Sequence, residues 1–159
     1  MNIYLAARYS RREELCGYRE QLRALGHFVT SRWLNGSHQI SDGGQPIGEH
    51  GEALVEGDAS NAGDDGSQTT RAAIMRENFA KEDFADVLAC DLLIAFTEPP
   101  RSSASRGGRH VELGIALGLM KRVWIVGYRE NIFCWLEDVR FHETAEAAIS
   151  AIGRERGVA

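Results

Sequence analysis

The chain has 159 residues and a formal net charge of −5 at pH 7. This length suits one domain with its own apolar core, and the acidic balance excludes a general nucleic-acid binder, which carries a basic face. Cys16, Cys90 and Cys134 lack metal-ligand spacing and indicate reduced thiols. The sequence starts with a strand-like segment and has no apolar run long enough to span a membrane. We therefore expect a cytoplasmic protein without a signal peptide.

The first part of the chain alternates strand and helix patterns. Residues 3–7 predict the first strand, and Ser10 followed by Glu13 is typical of a capping box at a helix start. Apolar residues then recur at helical spacing up to Gly26, a natural helix stop. Residues 27–33 predict the second strand.

A long polar segment follows, from residue 35 to residue 68. It is rich in glycine and has almost no apolar periodicity, so it indicates either a functional lid or a partly disordered insertion within one domain. Residues 69–90 then predict a helix, whose expected inward side chains are Ile74, Phe84, Val87 and Leu88.

The second part of the chain continues the alternation. The apolar run from Leu92 to Phe96 is typical of a strand covered on both faces. The further predicted elements are a helix over 109–120, a strand over 123–126, a short helical turn over 131–136, a strand over 139–141 and a closing helix over 144–156 capped by Thr144. Strands alternating with helices imply a parallel sheet with right-handed crossovers. We therefore predict a single α/β domain over residues 1–159, a flavodoxin-like, doubly wound sheet of five parallel strands.

The loop before the 109–120 helix combines hydroxyl, glycine and arginine residues. Its candidate ligand contacts are Ser103, Ser105, Arg106, Gly107, Gly108 and Arg109. Glycines admit a ligand close to the backbone, and guanidinium groups beside a helix N-terminus favour anions. The alternative is a flexible polar loop. The glycine spacing fits neither the Walker nor the Rossmann motif.

Two carboxylates are candidates for chemistry. Glu112 interrupts a small, apolar helix, which we expect to be buried, so its carboxylate calls for a reason beyond offsetting the helix dipole. Asp83 lies on the preceding helix, and its position alone favours a solvated charged face with its neighbours. Two carboxylates in one pocket could divide the roles of nucleophile and proton donor.

Flat side chains could bind a planar base. Tyr4, Arg8, Tyr9, Trp33 and Trp135 are candidates, although core packing is the alternative for each aromatic ring. The histidines, including His38 in the long polar segment, have no paired ligand spacing, so we predict no metal site.

Four patches of the chain together resemble the nucleoside 2-deoxyribosyltransferase superfamily, which includes the 2-deoxynucleoside 5-monophosphate N-hydrolases. They are IYLAARYS at the first strand, ENFAKEDFADVLACDLLIAF with Asp83 eight residues before Asp91, RGGRHVELGIALG with its Glu-Leu-Gly, and NIFCW. The similarity covers most of the chain outside residues 35–68.

The resemblance implies a role for each matched residue. Glu112 would be the nucleophile that attacks the anomeric carbon, Asp83 would contact the base and assist its protonation, and Tyr4 would contact the reacting centre. Asn131 would reach into the site of a neighbouring subunit, so we expect a homo-oligomer, most simply a dimer. No cofactor is implied.

One departure from the family pattern bears on the substrate. Six residues before the nucleophile, transferases acting on free nucleosides have an acid and the monophosphate hydrolases have a serine, whereas this chain has Arg106. Arginine attracts a 5-phosphate that an acid would repel. We therefore favour hydrolysis of a nucleoside 5-monophosphate. The alternatives are base exchange by a 2-deoxyribosyltransferase and a non-catalytic nucleotide-binding module on the same fold.

Overall fold

The computed structural model describes residues 1–36, 38, 70–99 and 108–156. In chain order, its helices and strands are β1 (Asn2–Ala6), α1 (Arg12–Ala24), β2 (Phe28–Val29), α2 (Thr70–Ala89), β3 (Leu92–Phe96), α3 (Gly108–Gly118), β4 (Arg122–Val126), β5 (Val139–His142) and α4 (Ala145–Arg156). Short 3-10 helices occur at Tyr9–Arg11, Arg32–Asn35 and Ile132–Trp135. Most of the long polar segment and most of the serine- and arginine-rich loop lie outside the described residues.

The strands form one parallel sheet in the order β2-β1-β3-β4-β5. This order confirms the predicted flavodoxin-like, doubly wound fold. Strand β3 lies at the centre, and all five of its residues are buried, as its continuous apolar sequence predicted. The strand order reverses between β1 and β3, and sheets of this kind bind ligands at the carboxyl ends of the strands at that point.

Helices cover both faces of the sheet. Helices α1 and α4 pack together on one face, while α2 and α3 pack together on the other. Because side chains alternate along a strand, Tyr4 of β1 faces α3 and is fully buried there. The fold thus brings a side chain of the first strand against the helix that follows the third.

Several helix ends agree with the sequence. Gly26 has a φ of 78° just after α1, a conformation that glycine adopts without strain. The hydroxyl of Thr144 accepts a hydrogen bond from the backbone N–H of Ala147 at 3.2 Å, as expected of an N-cap. The predicted turn at residues 131–136 is the 3-10 helix Ile132–Trp135.

The predicted second strand over residues 27–33 was too long, because β2 contains only Phe28 and Val29. The hydroxyl of Ser31 hydrogen-bonds both backbone groups of Leu5, accepting from its N–H at 2.7 Å and donating to its carbonyl at 3.2 Å. The indole N–H of Trp33 donates to the same carbonyl at 2.9 Å. The N–H of Thr30 still donates to the carbonyl of Ile3 at 2.9 Å. Side chains replace the ladder beyond Thr30, and the backbone turns into a 3-10 helix.

The predicted capping box at Ser10 and Glu13 was also wrong. Helix α1 begins at Arg12, and the residue before it, Arg11, makes no side-chain cap hydrogen bond. A 3-10 turn precedes the helix, closed by the N–H of Arg11 on the carbonyl of Arg8. The guanidinium of Arg11 instead binds the carboxylate of Glu14 at 2.7 and 2.8 Å.

The predicted burial of the α2 and α3 faces was only partly correct. Val87 is fully buried, but Ile74, Phe84 and Leu88 are 52%, 48% and 42% exposed. In α3, which we expected to be buried, Val111 is 62% exposed. One chain therefore covers only the sheet-facing stripe of these helices and leaves an apolar surface along their outer side.

Candidate active site

A hydrogen bond between Tyr4 and Glu112 lies at the centre of the candidate site. The phenol of Tyr4 donates to Oε1 of Glu112 at 2.8 Å. Tyr4 is fully buried in β1, whereas Glu112, in the second turn of α3, is partly accessible. The carboxylate is therefore held by Tyr4 and is still partly accessible to a ligand.

The pKa of Tyr4 is raised well above its ordinary value. Burial of the phenol is the main cause, and the nearby negative charges of Glu112 and Asp83 add to it. Both effects disfavour the phenolate. Tyr4 thus stays neutral and acts as a hydrogen-bond donor that holds the Glu112 carboxylate.

Asp83 lies next to this pair and next to His38. Its Oδ1 is 3.5 Å from Nε2 of His38, and Oε2 of Glu82 is 3.4 Å from the same nitrogen. The His38 ring stacks on Phe79 with the ring centroids 4.5 Å apart. His38 is only 8% exposed, and burial is the main cause that lowers its pKa below the ordinary value. A neutral imidazole therefore faces Asp83.

The two carboxylates line two adjoining spaces. On one side is a narrow polar cleft, with a free volume of about 10 Å³ and room for about one water. The cleft is lined by Ala7, Tyr9, Trp33, His38, Asp83, Arg109 and Glu112. On the other side, a groove of about 350 Å³ runs between α2 and α3. The groove is lined by Ala80, Asp83, Phe84, Val87, Gly108, Val111, Glu112 and Ile115.

The volume of the groove lies at the lower end of the range for small-molecule sites. Its wall is mostly apolar, and its carboxylates are Asp83 and Glu112. A flat, weakly polar group in the groove would therefore place its polar reacting bond at these two side chains. This arrangement suits displacement at a carbon that lies between a nucleophilic carboxylate and a proton donor.

The residues predicted to bind a planar base do not all line the polar cleft. Tyr9 and Trp33 line the polar cleft, with their ring centroids 6.1 Å apart. The indole of Trp33 also has a structural role, because its N–H donates to the carbonyl of Leu5. Arg8 follows the cleft residue Ala7 in extended backbone, and its side chain is partly exposed.

The structure gives Arg109 a different partner from the predicted anion. Arg109 is 2% exposed, and its Nη2 lies 2.7 and 2.6 Å from the two carboxylate oxygens of Glu130. Its Nη1 donates to the carbonyl of Phe96 at 3.2 Å. The charge of Arg109 is thus matched within the protein.

Of the remaining predicted site residues, the structure describes Gly108 and Asn131. Gly108 is the first residue of α3 and lines the groove. Asn131 caps the following 3-10 helix, accepting from the N–H of Phe133 at 2.9 Å. The other predicted contacts of this loop lie outside the described residues: Ser103, Ser105, Arg106 and Gly107.

Two residues of the site escaped sequence reasoning. His38 lies in the long polar segment, where no spacing pattern linked it to Asp83. Glu130 directly precedes Asn131, and nothing in the sequence distinguishes it from the other charged residues of the chain. For His38 the sequence offered one weak signal, a histidine within an otherwise featureless loop, and for Glu130 it offered none.

Among the described residues, no group of three or more His, Cys, Asp or Glu side chains could hold a metal ion. No helix in the described ranges combines the length and the apolar character needed to cross a bilayer.

No family model matches the chain, and no curated protein matches it. Among solved structures, it is similar to a 2-deoxyribosyltransferase of Bacillus psychrosaccharolyticus, with a TM-score of 0.52, 16% identity, and 96% of this chain and 90% of that chain covered. It is also similar to a CMP N-glycosidase of Clostridium botulinum, with a TM-score of 0.49, 17% identity, and 96% and 98% of the two chains covered. Across nearly its whole length, the chain therefore shares the fold of the 2-deoxyribosyltransferase.

Proposed function

We propose that the protein is an enzyme that hydrolyses the bond between base and sugar in a (deoxy)nucleoside 5-monophosphate. The observation that carries this proposal is the Tyr4–Glu112 hydrogen bond beside Asp83, at the wall of a groove large enough for a nucleoside. The motif resemblance supports the same residues, and the fold shared with a 2-deoxyribosyltransferase is consistent with them.

The proposed reaction has two displacements at the anomeric carbon. First, a carboxylate oxygen of Glu112 bonds to this carbon while the carbon–nitrogen bond breaks, and the bond's electron pair leaves with the base. The base takes a proton delivered from Asp83. Water then attacks the same carbon, the bond to Glu112 breaks, and the water's proton returns to Asp83. The products are the free base and the sugar phosphate.

The surroundings of the two carboxylates fit this division of work. Tyr4 keeps one oxygen of Glu112 in place through a charge-assisted hydrogen bond, which fixes the direction of attack. His38, with its lowered pKa, lies 3.5 Å from Asp83 and would orient that carboxyl toward the base. We assign His38 a positioning role for this reason.

The 5-phosphate would bind at the loop before α3. Arg106 with Ser103, Ser105 and Gly107 offers the donors that a phosphate needs, as the sequence suggests. Arg8 at the end of β1 could add a second charge, while Tyr9 and Trp33 would contact the base or sugar from the polar cleft.

We also propose a homodimer in which Asn131 reaches the neighbouring site. The apolar surface that one chain leaves uncovered supports it, because large exposed apolar patches mark interaction sites. Its exposed side chains include Phe84, Leu88 and Val111 on α2 and α3, and the 3-10 helix beside Asn131 also exposes Ile132, Phe133 and Trp135. Light scattering that gives a strict monomer would contradict both the dimer and the role of Asn131.

Subunit mixing tests the role of Asn131 directly. Asn131→Asp keeps an oxygen that can accept from Phe133 N–H, so the local cap is retained while the amide donor is lost. Exchange between Asn131→Asp and Glu112→Ala subunits would restore one complete site per mixed dimer, or about a quarter of the wild-type sites. Two folded, dimeric variants that regain no activity on mixing would contradict the exchange of Asn131 between sites.

The first experiment is a chromatographic screen for free base. The purified protein is incubated with each ribo- and deoxyribonucleoside and with its 5-monophosphate. Base release from monophosphates alone supports the proposal, whereas exchange of labelled free base into unphosphorylated nucleosides would move the assignment to a transferase.

Glu112→Ala tests the nucleophile, and Glu13→Gln is the control because Glu13 is an exposed carboxylate on α1. We expect base release to be lost with the first variant and kept with the second. Near-normal turnover by Glu112→Ala would refute the proposed chemistry. Nucleotide binding without any product in the wild type would favour a binding module.

A further inference from the structure

The ion pair between Arg109 and Glu130 is the most deeply buried charge pair among the described residues. The side chains are 2% and 8% exposed, and the closest nitrogen–oxygen distance is 2.6 Å. Burying two charges is costly, and apolar residues of similar size often stabilise a protein as well or better. The pair therefore calls for a reason other than stability.

The pair connects three chain segments at the edge of the sheet where the site lies. Arg109, in the first turn of α3, donates to the carbonyl of Phe96 at the end of β3. Glu130, beyond the end of β4, accepts from the backbone N–H of Glu98 at 2.8 Å. The start of α3 is thereby held against the loops that follow β3 and β4.

The first turn of α3 needs such an anchor because glycines occupy positions 107 and 108. Glycine leaves the backbone more freedom than any other residue. Glu112 follows Arg109 by three positions, so the two side chains lie on neighbouring positions of the same helix face. A shift of this turn would move Glu112 relative to Tyr4, which is fixed in the sheet by its register with Leu93 of β3.

We propose that Arg109 and Glu130 are a positioning pair, which sets the Glu112 carboxylate against Tyr4 and toward the substrate. This role replaces the anion-binding role that the sequence suggested for Arg109, and it rests on the proposed function. The same contact fixes the residue before Asn131, so one ion pair places both Glu112 and the side chain proposed to serve the neighbouring site.

Steady-state kinetics of three variants tests the pair: Arg109→Met, Glu130→Gln and the double variant Arg109→Met/Glu130→Leu. We expect kcat to fall by about 10- to 100-fold with KM within about twofold, as for a misplaced catalytic group. The control is Arg122→Met, which breaks a surface ion pair with Glu155 of 2.7 Å and should leave kcat unchanged.

The double variant separates positioning from folding. An apolar pair can regain thermal stability because no charge is left unpaired. If the ion pair positions Glu112, kcat stays low even where Tm recovers. Recovery of kcat together with Tm, or single variants that fold and keep wild-type kcat, would overturn the proposal.

A readout without turnover keeps this test distinct from that of the proposed function. Carbon NMR of protein labelled at glutamate carboxyl carbons follows the Glu112 titration, with Glu112→Gln for assignment. Loss of the Arg109 charge shifts the Glu112 titration in any background, because both side chains line the polar cleft. We expect Arg109→Met to give a larger shift with Tyr4 present than in a Tyr4→Phe background, because only the first also weakens the Tyr4 bond. Equal shifts in the two backgrounds overturn the positioning role even if the wild type releases no base.

Discussion

Replacing Tyr4 by Phe is the sharpest test of how the carboxylate is held. Phenylalanine fills the same buried space, so the substitution removes little more than the hydroxyl that donates to Glu112 at 2.8 Å. A hydrogen bond to a charged group is worth about 1.5–3 kcal/mol. An orientation penalty of the same size lowers kcat by about 10- to 150-fold, at about 1.4 kcal/mol per tenfold in rate.

The expected decrease in kcat of Tyr4→Phe arises because loss of the orientation of Glu112 outweighs the gain in its basicity. Without the phenol, the Glu112 carboxylate becomes more basic, which favours attack, but it is no longer held in line with the anomeric carbon. Orientation is worth several kcal/mol in such reactions. We therefore expect kcat and kcat/KM to fall together while KM changes little, since Tyr4 holds the nucleophile rather than the remote parts of the substrate.

The matched control is Tyr18→Phe. Tyr18 also lies near a carboxylate, that of Glu14, whose charge adds to burial in raising the pKa of the phenol. Its ring stacks on Phe96 with the centroids 5.4 Å apart. That variant loses the same hydroxyl outside the candidate site. Base release is measured for both variants, together with Tm. Equal kcat values for folded Tyr4→Phe and Tyr18→Phe would refute the reasoning.

The remaining predictions concern stability. Burial lowers the pKa of His38, so the unfolded chain binds a proton more readily than the folded protein near the ordinary histidine pKa. The stability of the folded protein is therefore unaffected by the titration of His38 above about pH 6.5, and it decreases as the pH falls below that value. In urea titrations, the free energy of unfolding of His38→Gln should decrease less between neutral and acidic pH than that of the wild type. An equal decrease would count against a buried neutral imidazole. Arg32→Met removes a 2.8 Å ion pair to the buried carboxylate of Asp86. The other carboxylate oxygen still accepts a hydrogen bond from the backbone N–H of residue 32. We expect this change to cost about 2 kcal/mol of unfolding free energy by thermal or urea unfolding, and a cost near zero would show that Asp86 is solvated.

Much of the fold could be predicted from the sequence because its signals are local. The run Leu92–Phe96 is apolar throughout, and such a strand has to be covered on both faces. Gly26 and Thr144 end and begin helices through their own backbone and side-chain geometry. The predicted second strand was too long because the hydroxyl of Ser31, rather than backbone, accepts from the N–H of Leu5. Strand propensity carries no information on such a side-chain hydrogen bond.

The candidate site was predictable only as separate parts. Glu112, Asp83 and Tyr4 stood out through motif resemblance, and the structure brings these three together at the polar cleft and the groove. Their meeting depends on β1 and β3 being neighbours in the sheet. His38 joins them from a segment without any periodic signal.

By itself, the sequence determined the alternation of strands and helices, the buried central strand and the candidate carboxylates, because periodicity and residue type act within a few positions of the chain. Only the tertiary structure decided which charges meet. Arg109 shows the difference: next to two glycines and a helix start it suggested an anion site, yet the fold buries it against Glu130, 21 residues away. The reason is that a charge is stabilised by whatever partner the fold places within a few ångströms, and that distance is set by strand order and helix packing.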